Sequence, residues 1–287
     1  MTCRTMMSLL TALMCCGLTH GQLLVDFNST TQDGGPHNDT AGGFSAYNAG
    51  HEVIEDFITQ SFTAFGTSIG VTPSWPNTTD NRVQQSIDRS GNNDANWTDA
   101  TTDLGAVPPV LGLDLVTDFI GTDTRTGSGG NGDWDGTTGT PTLFDLSLSG
   151  LPAENYSWTS AHIDTENVHG NFAVWISTDG GANFTTLPNG VMTDASPGGN
   201  PDSEGTGFMA TDSATAAAAG ALYTTTFAAD GTNDVVLRFA PFSGVAVHQQ
   251  IWGMNSFVVQ QVVPEPGSIL LSLMAVCGLI GLVRRRR

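Results

Sequence analysis

The chain has 287 residues, 39% of them hydrophobic, which is enough apolar material for a sizeable core. Its 28 acidic residues outnumber nine basic ones, all of them Arg, and the net charge of -19 gives a surface that repels nucleic acid and anionic lipid and attracts divalent cations, so nucleic acid is not an expected partner. The cysteines, Cys3, Cys15, Cys16 and Cys277, lie near the two ends, which excludes disulfides, thiolate zinc sites and a cysteine nucleophile from the body between them.

In chain order, a single charge at Arg4 is followed by an uncharged stretch from Thr5 to Leu18 and then by small residues at Thr19 and Gly21. The apolar part is too short to span a bilayer, so residues 1–21 read as a secretory signal peptide cut after Gly21. The residues before Cys15 and Cys16 are bulky, which disfavours a lipoprotein reading. Residues 22–262 are dense in Gly, Thr, Asn, Asp and Ser, with short apolar alternations between turn signals, an all-β pattern. The expected strands are Leu23 to Phe27, a long one from Phe62 to Val71, the strict alternation Phe144 to Ser149, the apolar rows Phe172, Val174, Ile176 and Val235, Leu237, Phe239, and a last strand from Trp252 to Val262. Short helices are expected within Val110 to Ile120 and Ala214 to Ala221, and long loops at 127–139 and 196–207. The fold expected is all-β, one β-sandwich, with the signal peptide before it and a single C-terminal transmembrane helix after it.

Three places in the body carry candidate chemistry. Asn131, Asp133 and Asp135, with Gly136 following, set oxygen-bearing side chains at alternate positions of a loop, the spacing by which a calcium loop converges on one hard cation. Thr142 stands where the closing bidentate Glu would be, so the expectation is a structural Ca2+ site, with a solvated acidic turn as the alternative. His162, Asp164 and Glu166 alternate along a strand and share a face with Tyr156 and Trp158 upstream, and His169 follows. Convergent carboxylates and imidazole suit a metal or acid-base site, and aromatics beside carboxylates suit sugar rings. A third set, Asp33, His37, Asp39, His51 and Glu52, has no fixed spacing. No Gly-x-Ser-x-Gly elbow and no Walker loop occur.

The tail is the most specific signal: Pro264-Glu265-Pro266 with Gly267, an uncharged run from Ser268 to Val283, then Arg284, Arg285, Arg286 and Arg287. As a helix the run spans about 25 Å, the lower edge of bilayer thickness, with the Arg cluster on the cytoplasmic side. This arrangement resembles the tail of bacterial PEP-CTERM proteins. The resemblance implies export of the body, recognition of the Pro-Glu-Pro motif by an exosortase-type processing enzyme, membrane anchoring through the helix before processing, and release or attachment at a Gram-negative cell surface; residues 263–287 form the sorting tail. A plain C-terminal anchor is the alternative.

Within the body, Leu24-Val25-Asp26-Phe27, Leu148-Ser149-Gly150-Leu151-Pro152 before Tyr156-Ser157-Trp158, the turn at Asp179-Gly180-Gly181, and Met254-Asn255-Ser256-Phe257-Val258-Val259 together resemble galactose-binding-like jelly rolls. The segment Ser177 to Phe184 resembles the Asp-box hairpin of sialidases, an architectural motif. The resulting expectation is an exported, non-catalytic cell-surface or secreted protein associated with extracellular polysaccharide. The rivals are a glycoside hydrolase or polysaccharide lyase using His162, Asp164 and Glu166, and a purely structural matrix protein.

Overall fold

The computed structural model describes residues 21–29, 40–49, 58–77, 84–88, 97–104, 109–123, 143–163, 172–190, 211–241 and 251–262. Among these the strands, in chain order, are β1 (Gln22–Ser29), β2 (Ser45–Ala49), β3 (Gln60–Ala64), β4 (Thr67–Ser74), β5 (Gln84–Asp88), β6 (Asp118–Asp123), β7 (Phe144–Ser149), β8 (Asn155–Ala161), β9 (Phe172–Ser177), β10 (Thr185–Thr186), β11 (Leu222–Ala228), β12 (Val235–Pro241), β13 (Ile251–Met254) and β14 (Ser256–Gln261). Helix α1 (Leu113–Val116) precedes β6, and α2 (Ser213–Ala219) precedes β11.

The architecture is an all-β sandwich. A five-stranded sheet in the order β11-β8-β14-β1-β2 faces a six-stranded sheet in the order β10-β9-β12-β7-β4-β3, and β13-β6-β5 form a three-stranded sheet. Alternation decides the layers. Leu23, Val25 and Phe27 of β1, Tyr156 and Trp158 of β8, and Phe257 and Val259 of β14 point to the inside, where they meet Phe144, Leu146 and Leu148 of β7 and Val235, Leu237 and Phe239 of β12. Each such fully buried side chain contributes about 1.5–3 kcal/mol by leaving water. Trp158 stacks on Phe257 with ring centroids 4.6 Å apart, and Phe239 stacks on Trp252 at 5.2 Å.

A second, smaller core lies on the outer face of the five-stranded sheet. Ala161, Ile163 and Ala221 are covered there by Trp97, Leu111, Leu115, Val116 and Ala216. The cover is tied down by Trp97 Nε1 donating to Leu111 O at 3.1 Å and Leu111 N donating to Ser213 Oγ at 2.7 Å. Helix α2 has the start and stop its sequence demands: the Asp212 carboxylate accepts from Thr215 N at 2.7 Å, and Gly220 closes the helix at φ 86°.

Three expected elements take a different form. Phe62 to Val71 is a hairpin rather than one strand: β3 and β4 pair antiparallel through Phe65 and Gly66, both at positive φ (53° and 75°), the two-residue turn whose twist matches the flanking strands. Val110 to Ile120 divides into the one-turn helix α1 and the start of β6, where Ile120 joins the main core and Phe119, on the other face, is buried against Gly253 of β13. Trp252 to Val262 is broken at Asn255 into β13 and β14, which lie in different sheets. The other expected strands stand where the alternation put them. Among the described residues no helix is long and apolar enough to cross a membrane, and the segment 268–283 expected to do so lies outside them.

Candidate functional site

The parity expected along β8 is present, but the face is the buried one. Tyr156 and Trp158 are wholly inside, and His162, one residue past the end of β8, is also 0% exposed. Its ring packs against Phe172 at 4.5 Å and Trp252 at 5.2 Å. Nδ1 lies 2.8 Å from the Gly253 carbonyl oxygen, which only accepts, so this nitrogen carries the proton. Nε2 then accepts from the Ser160 hydroxyl at 2.8 Å, and Ser160 Oγ in turn accepts from Trp158 Nε1 at 2.9 Å. The result is a polar chain in which both ring nitrogens of a core histidine have partners. Tyr156, Trp158 and His162 therefore do not form a sugar-gripping or acid-base face, a correction to the expectation from alternation; Asp164, Glu166 and His169 lie outside the described residues. The same is true of Asn131, Asp133 and Asp135, and of Asp33, His37, Asp39, His51 and Glu52.

The Asp179 turn is internally saturated. Its carboxylate accepts from the Ser177 hydroxyl at 2.6 Å, from Asn183 N at 2.9 Å and from Asn183 Nδ2 at 2.7 Å, and these bonds lower its pKa to about 2. Arg238 stands behind it, its guanidinium 3.8 Å from the centre of the Phe184 ring and forked onto Asp145. The motif is thus built into the sheet edge as architecture.

Two features were not legible as sites. The first is a cleft of about 120 Å³ on the outer face of the five-stranded sheet. Its floor is Thr159 and Ala161 of β8, Leu222 of β11, Ser256, Val258 and Gln260 of β14, and Gln22 of β1; its wall is Phe44, Leu104, Pro109, Leu111 and Leu115. Every lining side chain is uncharged, in a chain of net charge -19. Amides and hydroxyls on the floor face apolar groups on the wall, a combination that binds neutral, amphipathic molecules.

The second is a buried oxygen cluster on the same outer face, at the far end of β1. Asp26 and Asn28 sit two residues apart and are 0% and 3% exposed. Asp26 Oδ2 accepts from Ala41 N at 3.0 Å and Asn28 Nδ2 donates to Thr40 Oγ1 at 2.9 Å, so both side chains reach the same two-residue stretch. Asp26 Oδ1 and Asn28 Oδ1 are buried without a hydrogen-bond partner among the described residues. Asp118, also buried, accepts from Ser29 N next to them at 3.3 Å. Burial, helped by the nearby charge of Asp114, pushes the Asp26 carboxyl up to about 7. Among the described residues no three His, Cys, Asp or Glu side chains converge as a metal site, so any cation here would take amide and hydroxyl oxygens along with carboxylate, as hard cations do. The only signal in sequence was a lone carboxylate within the apolar run Leu23 to Phe27.

Beyond the sandwich, residues 262–287 match the PEP-CTERM protein-sorting motif. The chain is thus an exported protein carrying a sorting signal for the cell envelope. No curated protein matches it. Among solved structures it is similar to the TmCBM61 module in complex with β-1,4-galactotriose, at 10% identity over 67% of this chain and 88% of that one with a TM-score of 0.31. It is also similar to the K3 cleaved adhesin domain of Lys-gingipain from Porphyromonas gingivalis, at 15% identity over 62% and 91% with a TM-score of 0.32. The K1 adhesin domain of the same protein gives 15% identity over 67% and 95%, with a TM-score of 0.23. Likenesses this low specify no ligand.

Proposed function

We propose that this chain is a non-catalytic sandwich which, once exported and freed of its tail by an exosortase-type enzyme, associates with neutral extracellular polysaccharide at the cell surface. The observation that carries the reading is the uncharged cleft on the outer face of the five-stranded sheet. An anionic polymer would be repelled by the body as a whole, whereas a neutral sugar chain is indifferent to net charge and needs amides and hydroxyls beside an apolar wall. The burial of His162 removes the imidazole from the rival hydrolase constellation and favours binding over turnover.

The test is a binding titration of the tail-free body against a panel of neutral and anionic polysaccharides. Gln260→Ala is expected to weaken binding to the neutral ligand by about tenfold, the value of one lost hydrogen bond, and Thr159→Trp to abolish it by filling the cleft. Binding to none of the neutral polymers would leave the structural-matrix reading; binding unchanged by both substitutions would move the site elsewhere.

The Asp26 cluster supports a second component. A divalent cation, Ca2+ being the one suited to carboxylate, amide and hydroxyl oxygens, would be held by Asp26 and Asn28 and would tie β1 to residues 40–41. In a disulfide-free exported body its role would be stability. A rise in melting temperature with Ca2+ that Asp26→Asn removes would support this, and a melting temperature indifferent to Ca2+ and to chelator would reject it.

A further inference from the structure

The first and last strands of the sandwich, β1 and β14, are antiparallel neighbours, with Gln22 opposite Gln260. Gly21 and Val262 therefore leave the body at one pole. Val262 is still held there: its N–H donates to Asn155 O at 2.8 Å. The turns around it are fixed by backbone hydrogen bonds. Ala229 N donates to Glu154 O at 2.9 Å, and Gly180 N to Asp234 O at 3.0 Å. The pole thus gathers the turns 150–155, 178–184 and 229–234, and on its surface lie Glu154, Asp179 and Asp230, exposed, with Asp234 half-buried beside them. Hydrogen bonds within their turns hold both Asp179 and Asp230 at about 2, so both are charged at any physiological pH. The described residues hold no other arginine than Arg238, and it is forked onto Asp145.

Pro264 is the second residue after Val262, so at the chain's maximum extension of about 3.6 Å per residue the sorting motif begins only about 7 Å from a residue bonded into the sheet. Slack cannot come from β14, which lies between β8 and β1 and would have to break both ladders to peel away. An enzyme that binds the extended chain on either side of a cut needs several residues of it.

We infer that this acidic pole is a docking surface for the enzyme that processes the tail: to reach the motif the enzyme has to seat on the turns 150–155 and 229–234, and the rim of its cleft is basic or rich in hydrogen-bond donors to match them. The inference rests on the sorting motif being processed.

The experiment follows loss of the tail by mass in a host with the processing system, using the full chain. In the native spacing, Glu154→Gln with Asp234→Asn is expected to slow processing by about tenfold, the scale of losing complementary charge at an encounter surface. With six Gly and Ser residues inserted between Val263 and Pro264, the same pair of substitutions is expected to have less than about a twofold effect, since the enzyme no longer meets the pole. Wild-type rates for the double variant in native spacing, or an equal slowing in both backgrounds, overturn the docking surface alone. Processing that is unaffected by Pro264→Ala, Glu265→Ala and Pro266→Ala together overturns the sorting reading and the docking surface with it.

Discussion

The side-chain amide of Asn255 pairs with both backbone groups of Ile163, its Oδ1 accepting from Ile163 N at 2.7 Å and its Nδ2 donating to Ile163 O at 2.9 Å. It acts as a one-residue strand partner at the point where β13 ends and β14 begins. Nδ2 also donates to Asp118 O at 2.8 Å, while Asn255 O accepts from Phe27 N at 2.9 Å. Four segments meet on one 0% exposed residue. Asn255→Ala is expected to lower the unfolding free energy by about 2–4 kcal/mol, because several buried backbone groups lose their partners together; denaturant unfolding checks it. Asn255→Asp should cost at least as much, since a carboxylate cannot donate to the carbonyls of Ile163 and Asp118.

Asp26 sets a pH dependence. Its carboxyl moves from an ordinary 3.8 to about 7 on folding, so the folded chain binds a proton that the unfolded chain has lost between those values. Stability is full below about pH 4, declines as pH rises toward about 7, and is level above, with a total loss of up to about 4 kcal/mol from the shift. Asp26→Asn is expected to flatten this slope and to be more stable than the parent at pH 8 without Ca2+. Unfolding midpoints at pH 5 and pH 8, with Ca2+ and with chelator, separate proton from cation: a cation at Asp26 should restore stability at pH 8 in the parent alone.

Arg238 and Asp145 face each other across β12 and β7, with Nε and Nη2 each 2.7 Å from a carboxylate oxygen. The hydrogen bonds raise the guanidinium pKa, and Asp145 is only 7% exposed. Arg238→Ala should destabilise by about 2–3 kcal/mol, chiefly by leaving that carboxylate buried without its fork. Arg238→Lys should recover part of the loss, because an ammonium supplies charge without the planar fork or the stacking on Phe184. A double-mutant cycle with Asp145→Asn measures the coupling.

At the turn between β3 and β4, Gly66 has φ 75° and an added Cβ would meet nothing within 4 Å. The cost of substitution there is conformational alone. Gly66→Asn is expected to be neutral within about 0.5 kcal/mol and Gly66→Val to cost about 1–2 kcal/mol, read from thermal melts.

Strict alternation made the layers legible: Phe144 to Ser149 and Val235 to Phe239 are strands of the six-stranded sheet because every second residue is large and apolar. The hairpin at Phe65 and Gly66 was hidden, because a two-residue turn usually announces itself with Asn or Asp before Gly, and here an aromatic takes the strained position. Its ring lies 5.2 Å from Tyr156, and that contact offsets the backbone cost. The face of Tyr156, Trp158 and His162 was misassigned for a related reason. Periodicity tells which residues share a face and leaves open which face is wet; Tyr156 and Trp158 beside His162 were the sign of a core, given how much area two such rings bury. The cleft gathers Gln22, Phe44, Leu111 and Gln260 from distant parts of the chain, and only the strand order brings them together.

The adjacency of β1 and β14 also governs timing. The first strand of the body finds its antiparallel partner only when the last strand has been made, and β8 waits for the same strand on its other side. Until then the middle of the five-stranded sheet has a gap, and Phe27 and Trp158 lack the Phe257 ring that both of them contact. A chain emerging residue by residue stays open until its final strand arrives, then pays the entropy of a loop nearly as long as the body in one late step, so folding is slow and begins in earnest only after the whole domain is out. A transport channel that accepts only extended chains would find this body still threadable at the end of synthesis.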